Sequence, residues 1–183
     1  MMVPDEGRLI DEWTDGGQHV VIRSARWADL EDYGAMQRSL YHECVMASTR
    51  NVDLRAAGEM LGRWLTLAAT GTGVLLVAEV DGKIVGEGTL QPSSGDGSIT
   101  LGIMLCQGYR GQGIGRRLML ALEGQARALG KRRIDLTVWG ANAAARHLYS
   151  SLGYAEIGRF PDWIRSDLAP GGVCDLVWML KDL

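Results

Sequence analysis

The chain has 183 residues, of which 46% are hydrophobic and 22% are charged. This composition is typical of a globular protein and excludes a disordered or fibrous chain. A chain of this length buries roughly 70% of its unfolded surface, which is enough for one domain with a sizeable core. The net charge of -3 excludes a general attraction to nucleic acid or to an anionic membrane. Any anion-binding site must therefore be built locally.

The three cysteines, Cys44, Cys106 and Cys174, lie far apart, with no CxxC pair and no cluster of histidines. The sequence therefore predicts no metal site and no disulfide framework. It also lacks a run of about 18 apolar residues that would span a membrane, and it lacks a basic and then apolar leader. An odd number of cysteines suits a reducing compartment, so we expect a cytoplasmic protein without a membrane or nucleic-acid partner.

The start of the chain differs in composition from the rest. Residues 1–19 are acidic and carry the pair Gly16 and Gly17 near their end. We expect them to form a mobile extension, with a single domain over residues 20–183. Apolar periodicity within that domain predicts helices over residues 27–44, 52–69, 114–129 and 142–152, and strands over residues 20–23, 74–80, 83–91, 98–105, 133–139, 154–160 and 173–181.

Basic charge is concentrated in one stretch. Residues 110–133 hold seven basic residues and one acid, Glu123, whereas acids outnumber bases before residue 100. Arg116 and Arg117 fall in the first turn of a predicted helix, where the helix dipole disfavours a cation by a few tenths of a kcal/mol. The stretch is either a solvated basic surface or a receptor for an anionic ligand, which would reverse that unfavourable sign.

Three glycines, Gly111, Gly113 and Gly115, stand between a predicted strand and this helix. Glycines at such a place allow the backbone to approach an anion and to direct amide groups at it, although they also terminate strands and permit close packing. A P-loop requires Gly-Lys-Ser/Thr, but two arginines follow Gly115, and the intervals differ from the GxGxxG dinucleotide fingerprint. At this point the residues favour phosphate binding and simple packing equally.

The segment RGQGIG, from Arg110 to Gly115, resembles the R/Q-x-x-G-x-G/A acetyl-coenzyme A motif of the GNAT superfamily of N-acetyltransferases. Residues 101–105 resemble the central strand of that family, and residues 134–138 with residues 142–154 resemble its later strand and helix. Order and spacing agree from about residue 98 to residue 159. The resemblance implies an α+β fold with a mixed, mostly antiparallel sheet flanked by helices.

The resemblance also implies that acetyl-CoA is the acetyl donor and that the loop amides hold its pyrophosphate, with added charge from arginine side chains. The central strand would part from its neighbour at a bulge, and the pantetheine arm would fill the gap. The Asn142 side chain would also contact the coenzyme arm, and the alternative is that it serves only as a helix cap. The expected coenzyme-binding residues are Ile103, Leu105, Arg110, Gly111, Gln112, Gly113, Ile114, Gly115, Arg116, Asn142 and Tyr149, and no metal is expected.

Acetyl transfer to an amine requires an unprotonated nitrogen and a proton for the departing thiolate. Tyr149 matches the general acid of the family, because a phenol with a pKa of about 10 stays neutral at physiological pH. Its alternative is an aromatic filler between helix and sheet. Some members place a glutamate where this chain has Thr137, so our candidate base is Glu87, whose alternative is a surface carboxylate. We interpret Cys106 as structural.

The resemblance thus implies an N-acetyltransferase that acetylates a primary amine directly, with a small molecule or an amino acid as the acceptor. One alternative is acetylation of a protein N-terminus or lysine. Another is a coenzyme-binding regulatory module without turnover. A homodimer through the last strands is open to such folds.

Overall fold

The computed structural model describes residues 6–43, 52–93, 95, 97–166 and 169–183. Its strands are β1 (Leu9–Asp15), β2 (Gln18–Ser24), β3 (Val74–Val80), β4 (Lys83–Pro92), β5 (Ser98–Leu105), β6 (Arg133–Trp139), β7 (Ala155–Arg165) and β8 (Val173–Asp182). Its helices are α1 (Leu30–His42), α2 (Leu54–Ala69), α3 (Ile114–Ala128) and α4 (Ala143–Ser151). The helix predicted over residues 27–44 thus ends at His42, and Cys44 lies outside the described residues.

The eight strands form one sheet in the order β1-β2-β3-β4-β5-β6-β8-β7. Every neighbouring pair is antiparallel except β5 and β6, which are parallel. Asp81 and Gly82 form the two-residue turn between β3 and β4, both with positive φ, which an Asp-Gly pair between two strands favours. The prediction of a mixed, mostly antiparallel sheet flanked by helices is therefore confirmed.

Helices cover both faces of the sheet. The core on one face contains α3 and α4 residues such as Leu118 and Tyr149, whereas the core on the other contains α1 and α2 residues such as Tyr33 and Leu61. Gly88 in β4 lies under α3, since a Cβ there would come within 2.7 Å of Leu122 Cδ1. Because side chains alternate along a strand, Glu87, the residue before Gly88, faces α1.

Residues predicted to form a mobile extension contain β1, so that prediction is wrong for residues 9–15. This strand pairs with β2 across the turn at Gly16 and Gly17. A register shift at Ile10 places both Ile10 and Trp13 against the core, although a regular strand would point residues three apart to opposite faces. A search for alternating apolar and polar residues does not detect that Ile10 and Trp13 face the core in this acidic segment.

The resemblance places a bulge in the central strand, but β5 keeps an unbroken register with β4. The irregularity lies in β4, where Val85 is the extra residue opposite the step from Ala78 to Glu79. The Val85 carbonyl accepts a hydrogen bond from the Cys106 amide at 2.9 Å. The bulge therefore fixes the point at which the chain leaves β5.

β7 is longer than predicted. It runs to Arg165, although the strand predicted from the sequence ends at residue 160. A register shift between Phe160 and Ile164 accommodates the proline, which cannot donate a ladder hydrogen bond. Within the described ranges, no helix is both long and apolar enough to cross a bilayer.

Candidate active site

β5 and β6 pair only over residues 98–100 and 133–135. Beyond Thr100 and Asp135, β5 pairs only with β4 and β6 only with β8. The space between the two diverging strands is called the wedge below, and it is the gap that the family resemblance implies. Gly102 is exposed and Ile103 and Leu105 are half-buried along its β5 side. Backbone groups on an unpaired strand edge can bond to an extended ligand.

The loop of residues 110–115, called the glycine-rich loop below, leads from β5 into α3. Gly111 and Gly113 have φ values of 77° and 81°, a region that favours glycine. A Cβ at either position would meet no heavy atom within 4 Å, so the space in front of the loop is open. α3 begins after Gly113 without a side-chain cap, which directs the free amides of its first turn into that space. Such a helix end suits a diphosphate.

Gly115 is the point where three elements meet. A Cβ on Gly115 would lie 3.6 Å from Leu148 Cδ2 of α4 and 3.9 Å from Ile103 Cδ1 of β5. The first turn of α3 therefore contacts both α4 and β5 beside the wedge. This contact brings Tyr149, the residue after Leu148, into the same region.

Arg110 is held by two partners at the start of the glycine-rich loop. Its Nε donates to the Leu105 carbonyl at 2.7 Å, and its Nη2 donates to Glu43 Oε2 at 2.8 Å. The Leu105 carbonyl, which the resemblance assigns to the pantetheine arm, thus already accepts one hydrogen bond. Sequence analysis did not find Glu43, because an acid near the end of a helix carries no motif.

The two arginines in the first turn of α3 are also held by other elements. Arg116 Nη1 donates to Ser151 Oγ of α4 at 3.1 Å. Arg117 Nη1 donates to Asp11 Oδ2 of β1 at 3.0 Å, and its guanidinium lies 4.2 Å from the centre of the Trp13 ring. These contacts balance the unfavourable placement of cations at a helix N-terminus.

The remaining predicted coenzyme ligands have the following surroundings. Gln112 Nε2 donates to the Gly108 carbonyl at 2.9 Å, and the Ile114 side chain is buried, which leaves its amide as its contribution to the loop. Asn142 Oδ1 accepts from the Ala145 amide at 3.1 Å. Its helix-cap role is confirmed, and its contact with the coenzyme stays a prediction.

Tyr149 is buried on α4, with 7% of its surface exposed. Its ring lies 6.2 Å from that of Tyr154 in a tilted arrangement. Burial raises the pKa of Tyr149 to about 12. The phenol therefore carries its proton throughout the physiological pH range, which a general acid requires.

Glu87 is 4% exposed, so the alternative of a surface carboxylate is wrong. It lies on the face of β4 that α1 covers. Burial raises the pKa of Glu87, and the Tyr33 hydroxyl and the Gln37 amide oppose this with smaller effects. Glu87 Oε2, Tyr33 Oη and Gln37 Nε2 are all buried, and although the three groups lie close enough to influence the pKa of Glu87, these atoms form no well-aligned hydrogen bond with a described residue. Buried polar atoms of this kind are commonly satisfied by water or used in function.

Asp135, which the sequence analysis did not choose, stands where the wedge begins. Its Oδ2 accepts from Thr100 Oγ1 at 3.0 Å, and its Oδ1 is buried without a partner among the described residues. Ile134 and Leu136 belong to the core with α3, so Asp135 lies on the opposite face. Glu87 lies on that face too, across the exposed Gly102.

Cys106 is buried, and burial raises the pKa of its thiol. A thiol held in its protonated form is a poor nucleophile, which supports a structural role. Among the residues that the structure describes, no group of histidine, cysteine and acidic side chains is arranged to hold a metal ion.

Known proteins share this architecture. Residues 38–154 match the sequence model of the acetyltransferase (GNAT) family. The N-acetyltransferase YycN of Bacillus subtilis (strain 168) is 38% identical over 52 residues, which cover 28% of this chain and only 33% of YycN. The match thus spans about a third of the length of that relative.

Two solved structures extend the similarity to nearly the whole chain. One is the ribosomal-protein-alanine N-acetyltransferase from Brucella melitensis, 28% identical, with a TM-score of 0.74 over 88% of this chain and 99% of its own. The other is yncA from Salmonella typhimurium with its cofactor acetyl-CoA, 24% identical, with a TM-score of 0.74 over 90% of this chain and 94% of its own. Because the family match spans well over half of the sequence, the chain belongs to the GNAT acetyltransferase family.

Proposed function

We propose that this enzyme acetylates the primary amine of a small molecule or an amino acid. The observation that carries the proposal is the pair of buried acids, Glu87 and Asp135, on the sheet face opposite α3 and α4. Asp135 pairs with Thr100 and Glu87 with Met104, and these two β5 positions lie two residues before and after the exposed Gly102. An acceptor that arrives as an ammonium ion finds carboxylates there, which favour a cation over a neutral alcohol or an anion.

In this proposal, the glycine-rich loop binds the diphosphate of acetyl-CoA, whose thioester supplies the acetyl group. The amides of Gly111, Gly113 and the first turn of α3 neutralise phosphate charge without a cost in reorganisation. The backbone of Ile103 and the amide of Leu105 bind the pantetheine arm along β5, since the Leu105 carbonyl already accepts from Arg110. The Asn142 side chain, already the cap of α4, borders the same space. The arm thereby extends toward the closed end of the wedge at Thr100.

Two side chains move protons in the proposed reaction. Glu87, directly or through water, takes one proton from the acceptor ammonium and so frees the nitrogen lone pair. The nitrogen then forms the new C–N bond as the C–S bond breaks, and Tyr149 gives its proton to the departing sulfur. A raised pKa suits Glu87 to this role, because a base works best when its pKa approaches the working pH.

A protein N-terminus is the second candidate acceptor, and a specific feature favours it. Trp178, Phe160 and Trp163 are 37%, 40% and 64% exposed on β8 and β7. Trp178 lies on the face opposite α4, since its neighbours Val177 and Met179 belong to the core with that helix. β8 and β7 follow β6 on the side of the sheet away from β5. An open aromatic surface on these strands suits an extended peptide, and the Brucella relative is named for a ribosomal protein.

Thiol release from acetyl-CoA distinguishes these acceptors. The panel contains free amino acids, diamines and short peptides with a free N-terminus, each beside its N-acetylated counterpart as the control. We expect turnover with free amines and none with blocked ones. Turnover only with peptides would favour the second candidate. Binding of CoA without turnover on any amine would indicate the non-catalytic module.

A further inference from the structure

The turn between β5 and the glycine-rich loop is held by the residue that follows α1. Glu43 is the C-terminal cap residue of α1, and its side chain is 17% exposed. Its Oε2 accepts two hydrogen bonds of 2.8 Å, one from the Gln107 amide and one from Arg110 Nη2. Its Oε1 accepts from Ser39 Oγ at 3.2 Å. Both carboxylate oxygens are thus engaged.

Arg110 extends this contact to the wedge. Its Nε donates to the Leu105 carbonyl at 2.7 Å, and its own amide donates to the Gln107 carbonyl at 3.2 Å. Glu43 and Arg110 therefore hold the turn of residues 105–110 at its start, through the Leu105 carbonyl, and in its middle, through the Gln107 amide. Since Gly111 follows directly, the position of this turn sets where the loop amides lie relative to the wedge.

We propose that Glu43 is a positioning residue for acetyl-CoA. It acts through Arg110 and the Gln107 amide to hold the glycine-rich loop in place against β5. Arg110, although part of the coenzyme motif, serves chiefly as a brace between α1 and β5, because two of its donors are already used by Glu43 and Leu105. The diphosphate is then held mainly by backbone amides.

The opposite view treats Glu43 only as a charge. A carboxylate near a diphosphate repels it, so removal of that charge would tighten CoA binding. A positioning role predicts the reverse, because a loop that is ordered only on binding costs affinity. The sign of the change in Kd therefore separates the two views.

The test uses the full chain and CoA as the titrated ligand in isothermal calorimetry, so it needs no acceptor. We expect Glu43→Ala to raise the Kd for CoA about tenfold, the size of one charge-assisted hydrogen bond. Glu43→Gln keeps an acceptor oxygen and should stay within about threefold of wild type. The matched control is Glu59→Ala, which removes an exposed acid paired with Arg55 on α2 and should leave Kd unchanged.

A double-mutant cycle with Arg110→Ala tests the route. Because Arg110 makes one of the two contacts between Glu43 and the turn, Glu43→Ala should raise the Kd less in the Arg110→Ala background than in the wild-type protein. Amide hydrogen exchange in the ligand-free protein should rise at residues 105–110 in Glu43→Ala and stay unchanged in Glu59→Ala. Tighter CoA binding, an unchanged Kd or additive effects would overturn the proposal. Wild-type protein that fails to bind CoA would instead contradict the coenzyme site itself.

Discussion

At the scale of single residues, burial acts on the two proposed catalytic groups in different ways. Burial raises the pKa of Tyr149 to about 12, which keeps its proton in place. Burial also raises the pKa of Glu87, which moves this carboxylate toward neutrality. The first effect preserves an acid and the second strengthens a base. Both depend on packing that no local sequence pattern describes.

Replacement of Tyr149 by phenylalanine removes only the proton donor. We expect kcat to fall by about 100-fold or more, the contribution of a general acid, while the Kd for CoA stays nearly unchanged. Steady-state kinetics and calorimetry measure the two quantities. Tyr154→Phe, a change of the neighbouring ring, is the matched control and should retain most activity. Unchanged turnover in Tyr149→Phe would exclude this residue as the acid.

Glu87→Gln should raise the thermal midpoint at pH 8 while it lowers kcat. The folded-state pKa of Glu87 lies above its ordinary 4.5. Between pH 4.5 and the higher folded-state pKa, the folded protein therefore binds more protons than the unfolded chain. The free energy of unfolding falls as the pH rises through this range. A glutamine is neutral at every pH, so the variant avoids that loss.

The midpoint difference should shrink as the pH approaches 4, where Glu87 is protonated in the folded wild-type protein. Glu59→Gln, a change at an exposed position, should show no such trend. A lower midpoint for Glu87→Gln at pH 8 would mean that the carboxylate is ionised and paired in the folded state.

At the scale of elements, the proposed coenzyme site is a junction of five of them. β5 supplies an unpaired edge, and α3 supplies its N-terminus. α1, α4 and β1 each hold one arginine of the loop region, at Glu43, Ser151 and Asp11 respectively. Three of the seven basic residues in this stretch therefore hold elements together, which leaves the local amides as the main proposed attraction for phosphate.

Gly113→Asp should weaken CoA binding by about tenfold or more, through like-charge repulsion and a side chain in the open cradle. The φ of 81° adds backbone strain for any residue other than glycine. Gly113→Ala separates that strain from the charge. Gly124→Asp places the same charge at an exposed position of α3, away from the loop, and should bind CoA normally. Normal affinity in Gly113→Asp would contradict the cradle.

At the scale of the whole molecule, the wedge is a gap in the middle of the sheet between two packed layers. A ligand that fills this gap binds the folded protein and not the unfolded chain, and it therefore stabilises the folded state. Acetyl-CoA at a hundred times its Kd should add about 2.7 kcal/mol to the free energy of unfolding, or about 5 to 11 °C in the midpoint. Thermal unfolding with and without ligand measures this. No shift at millimolar acetyl-CoA would contradict coenzyme binding.

Sequence analysis predicted the order of the helices and strands from β2 onward, the family and the acetyl donor. These features are local or depend on a contiguous motif, so chain order alone reveals them. The same analysis was wrong for β1 and for the end of β7. In both places a register shift changes which side chains face the core, and periodicity assumes a regular register.

Residue types, spacing and the resemblance to a family were thus determined by the sequence itself, including the glycine-rich loop and the helix that follows it. Only the tertiary structure decided that Glu87 is buried under α1 and that Asp135 lies at the closed end of the wedge. It also decided that Glu43 accepts a hydrogen bond from Arg110. The Glu43–Arg110 pair joins residues 67 positions apart. Contacts across such separations arise from packing between elements, and a linear pattern carries no record of them.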